Sequence, residues 1–116
     1  MCGSNTFSLI AHVKGRRAVA LVDSGSTNSF MNYDFAIKSG CEILEAGNRR
    51  ILVAGGGMIS SSTKTEQLSY TVQGHPFERV FQLIPLKGFD VILGADWIYD
   101  HSPISLDLKQ RVLWVT

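Results

Sequence analysis

Short apolar runs alternate along this chain with clusters of small and polar residues, and that rhythm predicts strands joined by tight turns. Phe7 to Val13 and Ala18 to Val22 are apolar runs separated by Lys14-Gly15-Arg16, the pattern of a hairpin with a glycine-containing turn. The second run stops at Asp23-Ser24-Gly25-Ser26-Thr27-Asn28, a cluster of turn-forming residues. From Ser29 to Ser39, Phe30, Tyr33 and Ile37 fall at helical spacing and Gly40 offers a stop, which predicts a short helix or helical turn. Ile51 to Val53 predicts a brief strand running into Ala54-Gly55-Gly56-Gly57-Met58. Ile59 to Val72 is long, polar and rich in Ser and Thr, with recurring β-branched residues. A strand, a triple-glycine tip and a returning strand predict a mobile hairpin.

The second half continues in the same manner. Gln73-Gly74-His75-Pro76 predicts a turn, and Phe77 to Ile84 a strand. Gly88-Phe89-Asp90 leads into the apolar triplet Val91-Ile92-Leu93, ended by Gly94, and Ala95 to Tyr99 reads as one or two helical turns. Ile104 to Leu108 and Arg111 to Val115 flank Lys109-Gln110 as a closing hairpin. Without repeats or a linker, residues 1–116 read as one all-β domain with two short helices. Met1-Cys2-Gly3-Ser4-Asn5 resembles a cut made inside a longer polypeptide. A chain of this size buries only about two-thirds of the surface its unfolded form exposes, so a subunit interface would add to its stability.

Composition removes several classes of function. The chain is 45% hydrophobic and 18% charged, which suits a packed domain rather than a disordered tail. The net charge is +1, with no basic run or basic-aromatic cluster, so no direct nucleic-acid partner is expected. Arg16-Arg17 and Arg49-Arg50 read as isolated, solvated strand ends. Cys2 and Cys41 make no disulfide framework and read as free thiols in a reducing compartment. His12, His75 and His101 are scattered, and no Cys/His spacing resembles a zinc site. No signal-peptide core or long apolar run supports secretion or membrane insertion, so an intracellular location is expected.

The candidate chemistry lies in Ala20-Leu21-Val22-Asp23-Ser24-Gly25-Ser26-Thr27 and Val91-Ile92-Leu93-Gly94. A carboxylate directly after three apolar strand residues is anomalous as a purely structural feature, because carboxylates are rarely placed where burial is expected. Beside Ser24 and Gly25 it makes sense as a carboxylate held by hydrogen bonds at a strand-to-loop junction. Asp-Ser-Gly alone is a weak signal, since capped turns use the same residues. The apolar lead-in, the Ser26-Thr27 continuation and the later apolar-apolar-Gly segment give it weight. The three glycines at 55–57 do not read as a phosphate cradle, because no Gly-Lys-Ser/Thr follows. Asp90 and Asp96 read as turn or helix-start residues, Asp34, Asp100 and Asp107 as surface, and Trp97 and Trp114 as core or interface aromatics.

Together these segments resemble the aspartic protease signature, and most closely the gypsy-type retrotransposon proteases, over nearly the whole chain. Leu21-Val22-Asp23-Ser24-Gly25-Ser26-Thr27 looks like the catalytic segment, and Gln73-Gly74-His75-Pro76-Phe77 like the turn that follows the flap. Phe89-Asp90-Val91-Ile92-Leu93-Gly94-Ala95-Asp96-Trp97-Ile98 looks like the family's late block. Ddi-type proteases share the Asp-Ser-Gly, the late Leu-Gly and a tail like Ser105-Leu106-Asp107-Leu108-Lys109, but Asp96-Trp97 and the flap composition fit the retroelement group better.

The resemblance implies a retropepsin-like closed β-barrel with a flap hairpin and one or two short helices, working as a homodimer. It implies that Asp23, Ser24 and Gly25 carry catalysis, with Ser24 reaching across the dimer to the opposite loop. Ser26, Ala54, Gly55, Gly56, Gly57, Met58 and Ile92 would contact an extended peptide, the 54–58 segment closing over it. No cofactor or metal is implied, and the location would be the cytoplasm or a virus-like particle. Two carboxylates about 3 Å apart cannot both ionise, so one keeps its proton as acid while the other activates water. The chain holds a single Asp-Ser-Gly, so the second aspartate must come from a second copy across a two-fold interface. The N-terminal strand and the closing hairpin, including Trp114, are expected in or beneath that interface. Two departures from the retroviral pattern stand out: Ser26-Thr27-Asn28 replaces a more acidic stretch, and Ala95 stands where arginine is common. Two rival readings are a host-adopted or Ddi-type protease with a cellular substrate, and a catalytically silent dimerisation or binding module.

Overall fold

The structure is a computed structural model describing residues 6–52, 57–101, 104–107 and 112–115. Eleven strands and two short helices make up the described chain: β1 Thr6–Val13, β2 Arg16–Asp23, β3 Phe30–Asn32, α1 Tyr33–Lys38, β4 Ile43–Leu52, β5 Met58–Thr65, β6 Leu68–Val72, β7 His75–Arg79, β8 Gln82–Ile84, β9 Val91–Leu93, α2 Ala95–Asp100, β10 Ile104–Asp107 and β11 Val112–Val115. Nine of these strands form one sheet in the order β4-β5-β8-β3-β9-β2-β1-β6-β7, and β10 pairs with β11 as a separate hairpin.

Two tight hairpins fall where the sequence places them. Val13 pairs with Arg16 and Val72 with His75, so Lys14-Gly15 and Gln73-Gly74 are two-residue loops. All four of these residues have positive φ, the conformation that matches the natural twist of paired strands. Pro76 lies on β7, the edge of the sheet, where its missing N–H interrupts no ladder.

Side-chain alternation divides the apolar residues into two clusters. On β2, Ala18, Ala20 and Val22 point into the main core; on β9, Val91 and Leu93 do so, and on β3 and β8, Met31 and Leu83. The intervening residues Phe30, Ile84 and Ile92 face the other way and meet Ile51 and Ile59 of the β4–β5 hairpin in a second, smaller cluster. The main core is anchored by Trp97, 1% exposed, whose indole N–H donates to the Tyr70 hydroxyl at 2.9 Å. Phe77 packs on both, with ring centroids 5.7 Å from Tyr70 and 5.2 Å from Trp97. Burial pushes the Tyr70 phenol up to about 12. Cys41 is a buried free thiol whose pKa is raised by that burial, against a lowering by Lys14.

Four expectations need correction. The segment beginning at Ser29 is not one helix: Phe30–Asn32 is a strand, because it pairs with both β8 and β9. The helix that follows buries Phe35 and Ala36, while Tyr33 and Ile37 of the expected stripe are 39% and 52% exposed. Ile59 to Val72 and Phe77 to Ile84 each break into two strands, at Glu66-Gln67 and Val80-Phe81, where the chain crosses from one part of the sheet to another. The strand expected at Ile51 begins at Ile43, so Arg49 and Arg50 lie within β4 rather than at its end. The residues Met1–Asn5, Ala54, Gly55 and Gly56 and the Trp114 side chain lie outside the described parts of the structure. No helix among the described residues is long and apolar enough to cross a membrane.

Candidate active site

The topology around Asp23 explains why two distant segments are needed together. β2 and β3 are joined by the loop 24–29, yet they are not neighbours: β9 lies between them, parallel to β2 and antiparallel to β3. The loop must therefore arch over the end of β9, where the next residue is Gly94. A Cβ on Gly94 would overlap the Asn28 carbonyl and stand 2.6 Å from the Ser26 carbonyl, so only glycine fits under the arch.

Hydrogen bonds fix the loop to what lies beneath it. The Ala95 N–H donates to the Ser26 carbonyl at 2.6 Å, and the Gly94 N–H to Ser29 Oγ at 2.9 Å. Ser29, 5% exposed, in turn donates its hydroxyl to Asp96 Oδ1 at 2.6 Å. Asp96 also accepts the Trp97 N–H at 2.7 Å and an Arg79 guanidinium N–H at 3.2 Å. Arg79 continues to Asp100 at 2.6 Å, tying β7 to α2. At the other end of β9, Asp90 Oδ2 accepts the Val19 N–H at 2.9 Å, and the Asp90 carbonyl accepts the Asn32 N–H at 2.8 Å. Asp90 and Asp96 thus secure β9 at both ends, to β2 and β3 and to the loop.

Asp23 is the last residue of β2 and is half-buried. The Gly25 N–H donates to its Oδ1 at 2.9 Å, and a Cβ at Gly25 would sit 3.2 Å from that oxygen. The Ser26 N–H donates to the Asp23 carbonyl at 3.1 Å, and the Ser26 hydroxyl to the Asn28 carbonyl at 2.8 Å. The carboxylate is thereby oriented by backbone, which side-chain motion cannot disturb. Ser24 is exposed, and its hydroxyl makes no hydrogen bond among the described residues.

With that geometry in place, the comparisons decide the family. The PEG10/RTL1 protease domain family matches residues 19–113. The chain belongs to that family. It is a retropepsin-like, gypsy-derived group, as the resemblance implied. The matched span includes the Asp23 loop, the β4–β5 hairpin and the β9–α2 block. Among solved structures, the retroviral protease-like domain of Ddi1 from Leishmania major shares the fold, with a TM-score of 0.71 at 22% identity over 97% of this chain and 90% of that one.

The structure brings Asp23, Ser24, Gly25 and Ser26 onto one loop, with Ile92 beside it: Ile92 pairs with Leu21 on one side and Phe30 on the other. Gly57 and Met58 stand apart, at the start of β5, both exposed. Their neighbour Ile59 packs on the cluster that contains Ile92, which places the hairpin over that face of the sheet. Sequence reasoning missed Ser29 and Arg79. A serine at the boundary between a polar loop and an apolar strand carried no distinguishing signal. Arg79 becomes informative only once β7 lies against α2.

Proposed function

We propose that this PEG10/RTL1-type domain is an aspartic endopeptidase, active as a homodimer in which each protomer contributes Asp23. The observation that carries the reading is the Asp23 carboxylate, held by the Gly25 N–H on a loop clamped over Gly94. The single Asp-Ser-Gly in the chain supports the dimer, because the chemistry needs two carboxylates around one water. In the proposed reaction one aspartate removes a proton from water as its oxygen attacks the peptide carbonyl carbon. The other gives its proton to the carbonyl oxygen. The resulting tetrahedral diol collapses, the C–N bond breaks, and the amine leaves with a proton returned by the dyad.

The remaining parts take roles that fit their positions. Closure of the sheet into a barrel and pairing of two copies would bring the two loops together, with Ser24 free to bond across the interface. The β10–β11 hairpin would contribute to that interface. The β4–β5 hairpin would act as the flap, its 54–58 tip closing over an extended peptide and excluding water. Gly25, Ser26 and Ile92 would line the peptide. The substrate would be an extended, mainly apolar segment of a retroelement polyprotein.

The test is peptide hydrolysis between pH 4 and 7 by wild type and Asp23→Asn over a range of protein concentrations. Activity that rises more steeply than linearly with concentration and vanishes in Asp23→Asn is the expected result. Activity that survives in Asp23→Asn would overturn the mechanism.

A further inference from the structure

Between the catalytic loop and the β4–β5 hairpin lies a cavity of about 350 Å³. Phe30 and Ile51 of the smaller cluster line it together with Asn28 and Ser29 of the loop. Three cations line it: Arg49 and Arg50 from β4 and Lys64 from β5. None of the ion pairs among the described residues involves them. The one carboxylate in the lining, Asp96, is already engaged by Arg79, the Ser29 hydroxyl and the Trp97 N–H. The chain as a whole is nearly neutral at +1, so this is a local concentration of positive charge beside the loop that follows Asp23.

We infer that this cavity is an anion-selective substrate subsite, favouring peptides that carry Asp or Glu near the cleaved bond. The inference rests on the protease reading above and names the chemistry of its substrate. Successive side chains of an extended peptide lie about 3.3 Å apart along its axis, so several neighbouring positions on either side of the cut are to be scanned. A side chain filling the cavity displaces water from the cations, and a substrate carboxylate is the group that compensates them. A guanidinium group suits it further, since it offers parallel N–H donors to a carboxylate. A lysine or arginine in the same position meets like charge and is rejected.

The test uses peptides with one apolar core and Glu, Gln or Lys at each of the positions two to four residues from the cut, on both sides. Cleavage is measured as kcat/KM for wild type and for the double variant Arg49→Glu/Arg50→Glu, whose fold is checked by its melting temperature. Binding is measured in parallel by fluorescence anisotropy on Asp23→Asn, with and without the same two changes. At one position the wild type is expected to favour Glu over Gln by about fivefold and over Lys by more, with the preference shrinking as salt rises. The double variant inverts the ranking. Equal handling of the three peptides by wild type, or a ranking unmoved in the double variant, overturns the subsite. If no peptide is cut at any protein concentration, the protease reading fails. Anisotropy then still decides the subsite: tighter binding of the Glu peptide, lost on charge reversal, supports it, and equal binding overturns it.

Discussion

The loop over β9 and the β4–β5 hairpin are both rich in small polar residues, yet they are held differently. The loop is clamped from below through Gly94, Ser29, Asp96 and Ala95, and it covers a strand buried in the main core. The hairpin joins the rest of the sheet along β5, where the Ser61 hydroxyl donates to the Leu83 carbonyl and Thr65 exchanges hydrogen bonds with Phe81, and through the small cluster around Ile51 and Ile59, while its β4 side is open. Most of its residues from Leu44 to Arg50 are exposed. A site that must hold a carboxylate in one orientation needs the first kind of support. Under the proposed function the hairpin admits and covers a peptide, and its open β4 side suits that role, because opening must be inexpensive.

The largest expected effect that tests this contrast comes from Gly94→Ala. A methyl there drives into backbone carbonyls on the far side of the arch, which cannot move without releasing the loop, so a loss of about 3 kcal/mol is expected. Chemical denaturation measures it, and peptide hydrolysis should be lost with it. Ser29→Ala comes next. It leaves the Gly94 N–H without its acceptor and removes a donor from Asp96, for about 2 kcal/mol and a fall in kcat. Gly47→Ala gives the hairpin's counterpart to Gly94. Gly47 has φ +72 with nothing within 4 Å of an added Cβ, so only backbone strain resists the change, at about 1 kcal/mol. A denaturation midpoint for Gly47→Ala as low as that of Gly94→Ala would erase the contrast.

The smallest effect is a pH dependence at the far end of the Asp96–Arg79 network. His101 packs at 4.7 Å between ring centroids on Phe77, and its pKa is lowered by burial and by Arg79, with Asp100 acting the other way. The unfolded chain therefore takes up a proton more readily than the folded one. Stability from this group is present above the ordinary histidine value of about 6.5 and is lost as pH falls through the folded value. Melting temperatures between pH 8 and 5 should fall less steeply in His101→Gln than in wild type. Identical slopes would show that His101 does not titrate against folding.

Much of the fold was legible because its signals are local. Lys14-Gly15 and Gln73-Gly74 specify tight turns by their own backbone preferences, and Val91-Ile92-Leu93 reads as a strand wherever it lies. The mistaken helix at Phe30 shows the limit. Phe30 and Tyr33 satisfy helical spacing, but Phe30, Met31 and Asn32 find partners on both sides in β9 and β8, and that pairing outweighs local preference. The candidate site was half legible. Asp23-Ser24-Gly25 stood out as a carboxylate after an apolar run, whereas the support from Ser29 to Asp96 joins residues 67 positions apart.

The sequence by itself determined the strand rhythm, the turn positions, the single Asp-Ser-Gly and the glycine at 94, since each follows from a residue and its immediate neighbours. Only the tertiary structure decided that β9 enters between β2 and β3, that Asp90 and Asp96 secure its two ends, and that Arg49, Arg50 and Lys64 line one cavity. Those facts depend on which apolar faces are buried against each other across the whole chain, and burial of that kind is settled by packing rather than by any local preference.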